Sequence, residues 1–236
     1  MVYDAIQDGV YAAITSGGFS SEPWILAYIV TAMLSSLAFL YLPKKLDVPQ
    51  KFGIIHFFIV VWSGLMYTNF LNGSVLSDFA WYMDWMVSTP LILLALGLTA
   101  FHGADTRRYD LLGALLGLEF TLVITGLLAQ LQGSIIPYYV GVVLLLGVIY
   151  LLAVPFRKIA EESSEGVAKA YKLLAGYIGI FFLSYPTVWY ISSIEALPGG
   201  LNILGPTETS IALVVLPFFC KQVYGFLDMY LIHTAE

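Results

Sequence analysis

Polar and apolar residues are segregated along this chain into long alternating blocks. Seven stretches, at about residues 24–42, 52–71, 79–101, 111–131, 135–156, 173–194 and 209–232, are almost wholly apolar. Each is close to the ~20 residues that a helix needs to cross the hydrocarbon core of a bilayer. Lipid offers no partner to an unpaired backbone N–H or C=O, so each stretch is predicted to be a helix. The pattern therefore predicts an all-α membrane protein, a seven-helix bundle forming one domain over residues 1–236, with no internal repeat or linker.

The polar blocks between the spans set the orientation. The first loop reads Pro43-Lys-Lys-Leu-Asp-Val-Pro-Gln-Lys51, the third His102-Gly-Ala-Asp-Thr-Arg-Arg108, and the fifth runs from Arg157 through Lys172. These three hold nine of the ten Lys and Arg residues, and the second, fourth and sixth loops hold none. Basic loops stay on the cytoplasmic side, so the N-terminus is expected outside and the C-terminus in the cytoplasm. An odd number of spans is required for that, and seven satisfies it. Residues 1–20 carry Asp4 and Asp8 but no Lys or Arg, so no cleavable signal peptide is expected there.

Composition agrees with a multi-pass protein of the cell membrane, with the lipid bilayer as its partner. Hydrophobic residues make up 59% and charged residues 11%, against about 25% charged in ordinary soluble domains; mean hydropathy is +0.85. The net charge of −6, with no basic patch outside the short loops, excludes nucleic-acid binding. An acidic exterior also fits a high-salt habitat. The single cysteine, Cys220, excludes an internal disulfide and reads as a small buried hydrophobe. Asn72-Gly-Ser is formally a glycosylation triplet, of a kind that mostly arises by chance. No metal site is expected.

The tenth cation, Lys221, stands alone inside the seventh apolar stretch. An ammonium at mid-membrane costs several kcal/mol. Such a lysine is either paired with a carboxylate or chemically changed, as in a Schiff base to an aldehyde cofactor. The other ionisable groups within the spans are His56, Asp84, Glu119 and Asp228. Asp84 is the natural counter-charge for Lys221, since both are expected near mid-membrane. A plain structural ion pair is an equally good reading of those two residues alone. The neighbours of Asp84 add to the picture. Trp81, Ser88 and Ala95 share its helical face, with Tyr82 and Trp85 beside it. Phe182, Tyr185, Pro186 and Trp189 form an aromatic stripe on the sixth span. Two aromatic stripes, a lone lysine and a lone carboxylate suggest a flat, apolar ligand held beside the nitrogen. Tyr67 and Tyr82 read equally as polar lining or as packing.

The stretch Trp81-Tyr-Met-Asp84-Trp85-Met-Val-Ser88-Thr-Pro-Leu-Ile-Leu-Leu-Ala95 resembles the third-helix signature of the microbial (type 1) rhodopsins. Ser184-Tyr185-Pro186-Thr-Val-Trp189 resembles their sixth-helix signature, and Lys221 matches their retinal lysine. The resemblance covers roughly residues 20–233. It implies all-trans retinal bound to Lys221 as a protonated Schiff base, in a pocket to which Tyr82, Trp85, Ser88, Phe182, Tyr185, Trp189 and Pro217 belong. It also implies a homotrimer, and for Glu119 a structural place near the retinal ring.

The departures from the outward-pump pattern point to a subtype. Pro217 stands where those pumps have a second counter-ion aspartate, Trp81 replaces an extracellular arginine, and Ala95 replaces a cytoplasmic carboxyl donor. Retention of Asp84 speaks against a chloride pump, and Ser88 and Ala95 lack the amides of sodium pumps. Phe182 replaces a pocket tryptophan. Phe52-Gly-Ile-Ile-His56 and Phe219-Cys-Lys-Gln-Val-Tyr-Gly-Phe-Leu-Asp228 resemble the xenorhodopsins of small halophilic archaea. That branch implies a light-driven inward proton pump, a transporter and not an enzyme.

The residues give a separate reason to expect inward transport. Asp228 lies seven residues past Lys221, two turns or about 10.5 Å further towards the cytoplasm. His56 sits near the cytoplasmic start of the second span, so the two are expected to pair and to accept or relay a proton. The bland alternative is a histidine at a packing contact and a solvated terminal aspartate. Asp84 is expected on the path that returns a proton from outside. Two rival functions remain open at this stage. A proline before the retinal lysine also occurs in a sensory rhodopsin that works through a soluble partner. A retinal-free transporter with a Lys221–Asp84 ion pair is the other.

Overall fold

The computed structural model describes residues 23–71, 79–192 and 200–235. Residues 1–20, the Asn72-Gly-Ser triplet and the end of the sixth predicted span lie outside the described residues.

Among the described residues, seven helices are long and apolar enough to cross a membrane: α1 (Pro23–Leu46), α2 (Gln50–Leu71), α3 (Ala80–Ala100), α4 (Tyr109–Gln132), α5 (Ile135–Ser163), α6 (Glu165–Ile191) and α7 (Pro206–Ala235). At 1.5 Å per residue even α3, with 21 residues, is about 31 Å long, enough for the hydrocarbon core. β pairing among the described residues is limited to one isolated bridge between Ser192 and Leu204. Each helix packs on the next, and α7 closes the ring against α1 and α2.

The outside of the bundle is apolar, unlike that of a protein in water, and the few ionisable groups of the spans lie inside. Met33, Leu37, Ile136, Val143 and Ile180 are exposed on its outside, whereas His56, Asp84, Glu119, Lys221 and Asp228 are buried. Lipid tails are as apolar as leucine, so large side chains lose nothing by facing out, and helices associate through packing and polar contacts instead. Close approach of α1 and α2 depends on Gly53, where a Cβ would lie 2.3 Å from the Phe39 carbonyl oxygen.

The fifth loop corrects the sequence reading. Residues Arg157 through Lys172 do not form a loop. α5 continues to Ser163 and α6 starts at Glu165. Helix formation needs only local partners once the chain has left the lipid, and Arg157 pairs with Glu161 one turn on, at 2.7 Å. Ser164 alone makes the break. Its backbone is extended, and its hydroxyl accepts from the Val167 N–H at 3.1 Å as the N-cap of α6.

Two spans are wound more widely for one turn, at Leu152–Phe156 in α5 and at Phe218–Val223 in α7. A proline lies at each. Pro155 falls inside the first and Pro217 immediately precedes the second. Proline has no N–H for the carbonyl one turn back, and the helix adjusts by a bulge. The second bulge carries Lys221.

Candidate functional site

Three helices supply most of the buried ionisable groups. On α2, His56, Ser63 and Tyr67 share one face; on α3, Asp84, Ser88, Ala95 and Thr99; on α7, Lys221, Gly225 and Asp228. All of them are buried.

Two clusters result, and each takes one residue from each of the three helices. In the first, Lys221 Nζ donates to Asp84 Oδ2 and, at 3.1 Å, to Ser63 Oγ. The Ser63 hydroxyl is in turn 2.6 Å from the Tyr28 hydroxyl. Lys221 and Asp84 are both fully shielded. Either charge alone at this depth would cost several kcal/mol, so each makes the other tolerable. The second carboxylate oxygen of Asp84 has no hydrogen-bond partner.

In the second cluster, His56 Nε2 and Asp228 Oδ2 are 2.8 Å apart, both fully shielded. Asp228 Oδ1 accepts from the Thr99 hydroxyl at 2.8 Å. Seven residues of α7 separate Lys221 from Asp228, about 10.5 Å along the axis. This second cluster lies towards the end of the bundle that bears Lys44, Lys45, Arg107 and Arg108. The imidazole edge rests against α7 because residue 225 is glycine; a Cβ there would come within 2.6 Å of Phe39 Cζ and 3.1 Å of His56 Cγ. Gly225→Ala is therefore expected to push His56 off Asp228 and to destabilise the protein by about 1–3 kcal/mol. Thermal unfolding in detergent reads that loss.

An apolar cavity opens beside the first cluster, between α3, α4, α5 and α6. Tyr82, Trp85, Phe182, Tyr185 and Trp189 line it, with Glu119 at its far side next to Thr89. The aromatic rings meet edge to face: Trp85 with Tyr185 at 5.4 Å and with Trp189 at 6.3 Å, and Tyr82 with Trp189 at 5.8 Å. Such contacts favour a rigid wall, since each ring edge meets the negative face of the next. Trp85 follows Asp84 directly in α3, but Asp84 and Lys221 are not themselves among the lining residues. Ser88 and Pro217 are not among its lining residues. Ser88 turns its hydroxyl back to the Asp84 carbonyl at 2.6 Å, as buried helical serines do where no other acceptor is in reach. Pro217 shapes the α7 backbone instead. Trp81 packs edge-on against Tyr67 at 5.1 Å.

Residues 19–235 match the family of bacteriorhodopsin-like proteins. The chain belongs to that family. It is 86% identical to a solved structure described as the inward H⁺ pump xenorhodopsin, over 96% of this chain and 99% of that one, with a TM-score of 0.90. The thermophilic rhodopsin of Rubrobacter xylanophilus is 25% identical, with a TM-score of 0.79 over 90% of this chain and 96% of its own. Sensory rhodopsin-2 of Natronomonas pharaonis is 31% identical over 155 residues, 63% of this chain and 59% of that protein. The chain thus spans less than two thirds of the length of the curated relatives it matches first.

Rhodopsins of this family carry retinal on a lysine through a Schiff base. The residues present fit that group. The cavity is lined almost wholly by apolar and aromatic side chains, and Asp84 Oδ1 and the Tyr185 hydroxyl are buried without a protein partner. Ser63, Thr99 and Tyr28 were not picked out from the sequence. Helical spacing pointed to two of them, since Ser63 lies seven residues from His56 and Thr99 four from Ala95.

Proposed function

We propose that this chain is a light-driven inward proton pump, with all-trans retinal on Lys221, the N-terminus outside and the basic loops in the cytoplasm. One observation carries the reading: a second buried hydrogen-bonded cluster, His56–Asp228–Thr99, stands two turns from Lys221 towards the basic loops. The 86% identity to an inward pump supports it.

Retinal, when bound, supplies the light-driven change in the direction of the proton on the Lys221 nitrogen. The rest falls to this chain's own residues. Asp84 and Ser63 hold the charged nitrogen in the dark. The aromatic wall keeps water out, which strengthens that pairing. His56 and Asp228 take the proton released from Lys221 Nζ. Thr99 donates to Asp228 and keeps its second oxygen aimed at His56. Asp84 then lies on the path that returns a proton to Lys221 from the outer side. No proton is created or lost: one leaves Nζ inward, and one arrives from outside. A homotrimer and a single domain over residues 1–236 belong to the same proposal, on the family resemblance.

The attachment is tested by reducing the coloured protein with borohydride and mapping its peptides. Retinyl is expected on Lys221, and Lys221→Ala is expected to stay colourless. A coloured Lys221→Ala protein contradicts the assignment. Thr99→Val leaves Asp228 Oδ1 without its donor, a loss of about 1.5–3 kcal/mol for a hydrogen bond to a charged group. Proton release after a flash is expected to slow by about tenfold or more, read with a pH dye.

A further inference from the structure

Tyrosine hydroxyls hold one carbonyl of the bulge that carries Lys221 and one of the turn that leads into it. Pro217 has no N–H, so the Leu213 carbonyl one turn back has lost its helical donor. The next N–H, that of Phe218, is directed to Val214 and Val215. Tyr67 on α2, 1% exposed, donates its hydroxyl to the Leu213 oxygen. On the opposite flank, Tyr177 on α6 donates to the Phe219 oxygen at 3.0 Å, a carbonyl that also receives the Tyr224 N–H. Phe219 is two residues from Lys221, and its side chain is 40% exposed on the lipid side. In hydrocarbon a loosened carbonyl must be satisfied by a neighbouring helix. Tyr67 is itself held firmly, packed at a tilt against Tyr28 at 4.2 Å and set edge-on to Trp81 at 5.1 Å. Tyr28 in turn bonds Ser63, which accepts from Lys221.

We propose that Tyr67 and Tyr177 are positioning residues: they fix the backbone of the Pro217–Val223 bulge and so set where Lys221 Nζ lies against Asp84. Tyr67 does so by replacing the donor that Pro217 cannot provide. Its role is therefore tied to the proline. An alanine at 217 returns an N–H to the Leu213 carbonyl and makes the Tyr67 hydroxyl dispensable. This account of Lys221 rests on the retinal pump reading for its spectroscopic part only.

The test is a double-mutant cycle in the full chain: Tyr67→Phe, Pro217→Ala and the pair, with Tyr177→Phe alongside. Two quantities are read, thermal unfolding of the chain without added retinal and the absorption maximum with it. Tyr67→Phe is expected to lower the unfolding temperature and shift the maximum, and to do neither on the Pro217→Ala background. Tyr177→Phe is expected to shift the maximum. Equal effects of Tyr67→Phe on both backgrounds, or unchanged maxima in both tyrosine variants, overturn the proposal and leave the tyrosines as packing. If Pro217→Ala does not fold, the spectra of the two single tyrosine variants decide alone. Failure of the parent chain to form a pigment defeats the pump reading instead, and the unfolding cycle still tests the pairing of Tyr67 with Pro217.

Discussion

Asp84→Asn is expected to shift the absorption of the retinal-loaded protein to longer wavelength and to remove light-driven transport. Lys221 Nζ is fully shielded and meets Asp84 and Ser63. Ser63 is neutral, so Asp84 supplies the counter-charge within this cluster. Removing one partner of a buried pair costs about 3–5 kcal/mol, because the other charge is left uncompensated. In the spectrum, the carboxylate holds the positive charge at the nitrogen in the dark; without it the charge spreads along the chromophore and excitation needs less energy. In transport, the route by which a proton returns from the outer side loses its carboxylate. Absorption spectra and the initial slope of the light-induced pH change check both effects. An unchanged spectrum together with unchanged transport would remove the role given to Asp84. The plain ion-pair reading differs in predicting no visible band in the parent protein at all.

The second large effect is expected at the far cluster. Asp228→Asn and His56→Gln are each expected to slow proton release towards the basic loops by about 100-fold, the usual contribution of a positioned proton acceptor. The dark spectrum is expected to stay nearly unchanged, because Asp228 lies about 10.5 Å along α7 from Lys221. That split separates this pair from Asp84, whose loss changes colour and transport together. The double variant is expected to be little worse than either single one, since residues that act as a unit are strongly non-additive. Flash photolysis with a pH dye, on each variant and the pair, reads the outcome. Normal release in Asp228→Asn would contradict the acceptor role and make the 2.8 Å contact between His56 and Asp228 a structural tie between α2 and α7.

The spans were legible in the sequence because lipid imposes a simple rule: twenty apolar residues in a row leave little choice but a helix. The buried charges were legible for the same reason, since so few ionisable residues interrupt the spans. What failed was outside the lipid. The run from Arg157 to Lys172 reads as polar and hence as loop, yet charged residues form helix readily when Glu161 answers Arg157 and a serine caps the next start. Hydroxyls inside the spans were also hard to read. Ser88 and Thr99 both return a bond to their own helix, to Asp84 and Ala95. Only Thr99 reaches a second partner on another helix, and spacing along one helix does not reveal that. The bulge at Lys221 was foreshadowed by Pro217, but the tyrosines that answer it come from helices 146 and 42 residues away in the chain.

The central claim is a direction of proton flow, and one measurement reads it: the pH of an unbuffered suspension of cells that express the chain with added retinal, in light and dark. The account predicts that external pH rises on illumination and that a protonophore abolishes the rise. A fall in external pH would mean outward pumping, and a coloured protein that leaves the pH unchanged would mean a sensor; either result contradicts an inward pump.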